Sequence, residues 1–242
     1  MKWAIILGAS GDIGSETARK LAEDGWSIYL HYAHNYNRVE KLREELATTF
    51  PDQQFLLVQA DFTQEEAADQ LADQLFSIQA IVVANGHELL KLLTETTIEE
   101  MNILWRVHGQ NPIRFIGRMS EQMRQHKRSY IVFVGSIWGT TGAANEVVYS
   151  TVKGAQHAFV RAYAKESASS GIRVNGIAPG WIETRMNEQF DEEEKEMAKE
   201  IIPLQEIGKP SDVAEVVRFL LSGRADYMTG QILNVNGGWF IG

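Results

Sequence analysis

Short apolar runs alternate with longer amphipathic stretches from one end of the chain to the other. The runs 3–7, 27–32, 54–60, 80–84, 130–135, 173–177 and 231–235 read as strands buried on both faces. Between them, segments 13–23, 38–49, 65–74, 98–125, 146–169 and 211–221 carry apolar residues at helical spacing. Pro210 and Ser211 suit the start of the last helix. Strand followed by helix, repeated, requires parallel pairing with helical crossovers. The expected fold is a single α/β domain over residues 1–242, a doubly wound parallel sheet of about seven strands flanked by helices on both faces. Such sheets bind ligands beyond the carboxyl ends of their strands, where the strand order reverses. The residues just after each apolar run are therefore the ones to search for chemistry.

Composition narrows the picture. The 242 residues are 44% hydrophobic, enough for one large core, and the five prolines mark no linker. The absence of cysteine excludes a disulfide framework and thiolate chemistry. A net charge of -9 argues against nucleic acid or an anionic membrane surface as partner. The opening apolar run is too short for a signal peptide, and no segment has bilayer-spanning length. A cytoplasmic protein is expected. No metal site is expected either. His31 and His34 lack carboxylate or cysteine partners at ligand spacing and read as a solvated strand end.

The first strand runs into Gly8-Ala9-Ser10-Gly11-Asp12-Ile13-Gly14 at the first strand-to-helix junction. Glycines there permit a tight turn and bring backbone N–H groups close to a pyrophosphate at the helix N-terminus. Asp61, after the third run, is placed to accept from an adenine amino group, or else to cap the next helix through Asp61-x-x-Gln64. Asn85-Gly86, after the fourth, allow close approach to the adenosine ribose. The second run ends in His31-Tyr32-Ala33-His34-Asn35-Tyr36-Asn37-Arg38, with one arginine and no acid. A carboxylate there would repel a 2′-phosphate, so NADP is expected over NAD, with Asn35 and Arg38 near the phosphate.

Ser136 follows the fifth run, and Tyr149 and Lys153 lie four apart early in a long helix, on one face. A phenol is a poor acid near neutrality, with a reference pKa of about 10. A neighbouring ammonium is expected to lower it, so that Tyr149 protonates a carbonyl oxygen while Ser136 hydrogen-bonds the same atom. Tyr-x-x-x-Lys alone is common in helices; Ser136 thirteen residues upstream, behind a strand, makes the pattern specific.

With these residues in order, the chain resembles the short-chain dehydrogenase/reductase family from end to end. Asn175-Gly-Ile-Ala-Pro179-Gly180, Thr184, Gly208-Lys-Pro-Ser-Asp212 and the closing Asn236-Gly-Gly belong to the same pattern. The resemblance implies a Rossmann-type fold and hydride transfer between a nicotinamide and a carbonyl. Ser10, Gly11, Ile13 and Gly14 then belong to the phosphate turn, Lys153 holds the nicotinamide ribose, and Pro179, Gly180, Ile182 and Thr184 contact the nicotinamide. It further implies a substrate lid at about 181–205 and a homotetramer, or homodimer, built through the long helices and the last strand. The apolar Trp239-Phe240-Ile241 suits that interface or its own subunit.

Three positions depart from the family. Its G-x-x-x-G-x-G turn has glycine where this chain has Asp12, which is expected to cap the first helix and point away from the phosphates. The family asparagine in Val-Asn-Leu-x-Gly-Pro is His108 here, within Val107-His108-Gly-Gln-Asn111-Pro112. His108 either serves a proton relay ending at Lys153, since imidazole both donates and accepts, or is simply packed; Asn111 lies almost a turn further on. The family Asn-Asn-Ala-Gly reads Val83-Ala84-Asn85-Gly86.

Within the family the chain is most similar to 3-oxoacyl-carrier-protein reductases. Residues around Trp138, Glu146, Gln156 and Trp239 resemble the subgroup that reduces 5-aminopentanone-modified elongation factor P. An acidic carrier protein needs a basic dock, and Lys127 and Arg128 are the candidates. Against that, Glu146 near Tyr149 and the run Asp191-Glu-Glu-Glu-Lys-Glu196 favour a cationic carbonyl, unless the run is only a solvated helix face. Trp138 and Trp181 are expected as apolar walls or as core. The substrate is thus expected to be a small-molecule or carrier- or protein-bound carbonyl compound. A non-catalytic NADP sensor would keep the fold but lose Ser, Tyr or Lys. An epimerase or dehydratase would carry a longer C-terminal substrate domain.

Overall fold

The computed structural model describes residues 1–187 and 190–242. Seven strands form one sheet: β1 (Lys2–Leu7), β2 (Trp26–Tyr32), β3 (Phe55–Gln59), β4 (Ala80–Val83), β5 (Ser129–Val134), β6 (Ile172–Pro179) and β7 (Ile232–Val235). Their order is β3-β2-β1-β4-β5-β6-β7, and every pairing is parallel. The order reverses between β1 and β4, so the crevice expected for a ligand opens above Leu7 and Val83. β2, β4 and β5 are buried at every position, whereas β3 and β7, the edge strands, keep exposed or half-buried positions, which corrects the expectation that all seven runs are buried on both faces.

Helices cover both faces. α1 (Asp12–Glu23), α2 (Tyr36–Thr49) and α9 (Pro210–Leu221) bury Leu21, Val39, Leu42, Val213 and Val217 against one face. α3 (Ala67–Ala72), α5 (Asn111–Arg124) and α7 (Val147–Ser167) bury Leu71, Phe115, Met119 and Val160 against the other. Two short helices, α6 (Trp138–Thr141) and α8 (Glu192–Ile201), follow β5 and β6 at the ligand edge.

The segment expected as one helix over 98–125 is broken by one feature. α4 (Ile98–Trp105) starts with a capping box between Thr97 and Glu100, and a π-turn at Arg106–Gln110 joins it to α5. Gly109 lies against the Trp105 ring, where a Cβ would come 2.5 Å from it. The π-turn inserts a residue into the helical ladder and swings His108 toward the sheet. Such a turn leaves no mark in apolar periodicity.

Candidate active site

Gly8 leaves β1 with φ +84°, and a Cβ on it would sit 2.7 Å from the Asn85 Cα. Only glycine fits there, because both the left-handed backbone and the contact forbid a side chain. His31 fixes the turn from below. Its Nδ1 accepts the Gly8 N–H at 3.0 Å, and its Nε2 donates to the Ala60 carbonyl at 3.0 Å. Burial pushes the imidazole down to about 4, so it is neutral at physiological pH. The expectation of a solvated His31 is therefore corrected: the side chain turns into the core, where β2 is covered on both faces. His34 does lie exposed, 3.7 Å from Asp61.

Gly11 begins α1 with no side-chain cap, leaving the helix N-terminus to an incoming anion. Asp12 does not cap α1, contrary to expectation. As the first helical residue it lies past the capping position, and its carboxylate turns outward to Arg38 and Arg185. Asp61 does not cap a helix either. It accepts from the Thr63 N–H and hydroxyl at 3.0 and 2.8 Å, a turn that ends before α3 begins. Asn35 precedes α2 without a side-chain capping hydrogen bond. Asn85 donates to the Val107 carbonyl at 2.8 Å, and its buried Oδ1 has no partner among the described residues.

Beyond the reversal point lies a cavity of about 120 Å³ lined by Ile13, Asn85, Gly86, His108, Ser136, Tyr149, Lys153, Pro179, Gly180, Ile182 and Thr184. Ser136, Tyr149 and Gly180 also line a second cavity, of about 160 Å³. Open N–H groups, a glycine floor, an orphaned acceptor and this cavity suit a dinucleotide with its nicotinamide end beside Tyr149. Ser10, Gly11, Ile13 and Gly14 would hold the pyrophosphate, and Lys153 and Asn85 the sugars.

Tyr149, Lys153 and Ser136 meet between the two cavities, all buried. The Lys153 ammonium lies 5.5 Å from the Tyr149 ring centre and donates to the Val134 carbonyl at 3.1 Å. Burial brings it down to about 7. Burial, then the charges of Glu146 and Glu88, push the Tyr149 phenol well above its ordinary value, against a weaker pull from Ser136. The expected lowering is thus reversed in this structure, because desolvation disfavours the phenolate. Ser136 Oγ accepts the Trp138 N–H at 3.2 Å, leaving its own proton to donate.

His108 is fully enclosed, its ring edge-on to Tyr149 with centroids 5.7 Å apart. Nε2 donates to the His87 carbonyl at 2.8 Å, and Nδ1 has no partner among the described residues. Burial, with Lys153 next, holds it well below the ordinary histidine range, hence neutral. Gln156 donates to the His108 carbonyl at 2.8 Å. Asn111 is committed elsewhere, donating to the Phe62 and Gln64 carbonyls at 2.9 and 2.8 Å.

The second cavity is lined by Trp138, Trp181, Phe190 and Trp239, together with Glu88, Glu146, Met186 and Asn187. Trp138 packs edge-on against Trp239, and Trp181 packs with tilted rings against Phe190. Glu146 is raised above the usual carboxylate range by burial and by Glu88. Glu88 and Phe190 escaped the sequence reading, since each reaches the cavity from a loop distant in sequence; Trp239, expected at an interface or on its own subunit, lines this cavity. Lys127 and Arg128 precede β5 at its amino end, whereas Ser136 follows its carboxyl end, about 20 Å away at strand rise. They cannot serve as a dock at the cleft. In α8, Asp191 caps the helix and Lys195 and Lys199 pair with Glu192 and Glu196, the pattern of a solvated face.

A family model described as Enoyl-(Acyl carrier protein) reductase matches residues 8–240. The chain is 42% identical over 239 residues to the "Uncharacterized oxidoreductase YmfI" of Bacillus subtilis, covering 98% of each. It is 31% identical over 251 residues to the 3-oxoacyl-[acyl-carrier-protein] reductase FabG of Staphylococcus aureus, covering 99% of this chain and 98% of that protein. Among solved structures, a blue fluorescent protein from a metagenomic library in complex with NADPH superposes with a TM-score of 0.92 at 27% identity, covering 99% and 98% of the two chains. YwfH, an NADPH dependent reductase involved in bacilysin biosynthesis, does so with a TM-score of 0.93 at 22% identity, covering 100% and 99%, a likeness of fold alone.

Proposed function

The chain belongs to the short-chain dehydrogenase/reductase family, and from that premise we propose that it reduces a ketone to an alcohol with NADPH. The observation that carries the reading is the buried trio of Ser136, Tyr149 and Lys153, of which Ser136 and Tyr149 line both adjoining cavities. A reduced nicotinamide supplies the hydride. The carbonyl oxygen accepts from Ser136, and Tyr149 passes it the phenolic proton as negative charge develops there. A phenol held above its ordinary value is fully protonated at neutrality, which suits donating a proton rather than removing one. Lys153, charged below about pH 7, stabilises the phenolate that forms. His108 lines the same cavity, and its Nδ1, without a partner among the described residues, would hold a water that returns the proton to Lys153. Arg38, with no carboxylate at the end of β2, supports NADPH over NADH.

The substrate reading is a carbonyl that carries positive charge, such as the aminoketone on 5-aminopentanone-modified elongation factor P. Glu88 and Glu146 line the second cavity beside four aromatic rings. Paired carboxylates and aromatic faces favour an ammonium and disfavour an acidic carrier. A second reading, reduction of 3-oxoacyl groups on acyl carrier protein, is supported by the names of several relatives. NADPH consumption measured against both substrates separates the two. Turnover of the thioester alone excludes the cationic substrate, and turnover of neither across a broad carbonyl panel, with NADPH still bound, restores a non-catalytic sensor.

The same reading includes assembly as a homotetramer or homodimer, supported by Ile98, Trp105 and Val147, which lie exposed on α4 and α7. Light scattering tests it.

A further inference from the structure

The Asp12 carboxylate binds two arginines that lie far apart in the chain. Oδ1 accepts from Arg38, at the start of α2. Oδ2 accepts the backbone N–H of Arg185 at 2.9 Å and its Nε at 3.3 Å, and the same guanidinium donates to the Ser10 carbonyl at 3.0 Å. Arg185 belongs to the segment that follows β6, and Ser10 to the phosphate turn. One carboxylate therefore joins the arginine at the adenosine end of the crevice to a segment that borders its nicotinamide end. The side chain of Asp12 is 20% exposed, while those of Arg38 and Arg185 are 34% and 43% exposed. Both arginines can thus exchange partners at the rim. The three groups carry a net charge of +1.

We propose that Asp12 is a positioning residue through which occupation of Arg38 by a 2′-phosphate tightens the hold on Arg185. The inference rests on the NADPH reading above. A carboxylate shared by two guanidiniums binds each less strongly than it would bind one alone. A phosphate monoester carries about -1.5 to -2 charge and three acceptor oxygens, so it outcompetes a carboxylate for a guanidinium. Arg38 turns to that phosphate, and Asp12 is left to the N–H and Nε of Arg185. NADPH thereby fastens the segment after β6 to the turn, whereas NADH leaves Arg38 on Asp12 and the carboxylate divided. Cofactor choice and the order of this segment become one linked equilibrium.

The Arg185 amide donates directly to Asp12 and reports the link. Its hydrogen exchange is measured on the full chain with saturating NADPH and with saturating NADH, saturation being established by nicotinamide fluorescence titration. In the parent, NADPH slows the exchange about fivefold or more beyond NADH. The difference vanishes in Asp12→Asn and in Arg38→Gln; the second, at a half-exposed helix start, stands alone if the first does not fold. Equal exchange with both nucleotides in the parent, or a difference that survives Arg38→Gln, overturns the proposal. If neither nucleotide binds saturably, the reductase reading fails first and this inference fails with it.

Discussion

His31 supports Gly8 from beneath the sheet, its Nδ1 accepting the N–H of the glycine on which the phosphate turn pivots, at 3.0 Å. The bond requires a neutral imidazole, and burial supplies one by bringing His31 down to about 4. An unfolded histidine binds its proton near pH 6.5. Between those values the unfolded chain holds more protons than the folded one. The stability from this residue is therefore complete above about pH 6.5 and is lost as pH falls toward 4, by roughly 3 kcal/mol. Urea unfolding at pH 7 and 4.5 should show the loss, and His31→Gln should lessen it by about that amount, leaving the share of other lowered histidines, among them His108 and His157. A variant with the parental pH dependence removes His31 from this account.

Tyr149→Phe should lower kcat by about 100- to 10,000-fold, since it deletes the proton donor. NADPH affinity should stay within about threefold, because the ring remains packed. Steady-state kinetics and fluorescence titration measure the two quantities. A parental kcat means that another group delivers the proton.

Lys153 sets an alkaline limit on reduction. Its ammonium, brought to about 7 by burial, is charged below that pH and neutral above. The kcat/KM for reduction should be level on the acid side and fall as pH rises through about 7. Lys153→Met should give a low rate without that limb. If the limb persists in the variant, the titrating group is a different one.

Glu146 is the specificity test. Glu146→Gln should raise KM for a cationic ketone about tenfold, leave kcat nearly unchanged and spare neutral ketones. Because burial and then Glu88 raise its proton affinity, binding of the cation should also weaken in the parent as pH falls. Equal effects on charged and neutral substrates argue for a packing role instead.

His108→Asn distinguishes relay from packing. A relay predicts a kcat about five- to tenfold lower with a displaced pH–rate profile and unchanged NADPH binding. Packing alone predicts lower thermal stability with the profile unmoved.

The alternation of apolar runs and amphipathic stretches by itself determined the strands, their parallel pairing and the end of the sheet that carries the chemistry, because an apolar run set between amphipathic helices has few other ways to be buried; the strand order that puts the crevice above β1 and β4 came from the tertiary structure. Gly8, Ser136, Tyr149 and Lys153 were legible for a related reason: each follows a strand, or lies on one helical face, at a spacing that local geometry fixes. The tertiary structure alone decided what surrounds them. It turned His31 inward, where the covered sheet left no solvent face, and gave Asp12 to Arg38 and Arg185 rather than to its own helix. It raised the phenol that an adjacent ammonium was expected to lower, because desolvation depends on every neighbour and spacing on only one. It brought Glu88, Phe190 and Trp239 to one cavity and moved Lys127 and Arg128 to the far edge of the sheet. Short-range pattern encodes which elements form; proximity between distant segments arises only when the chain has packed.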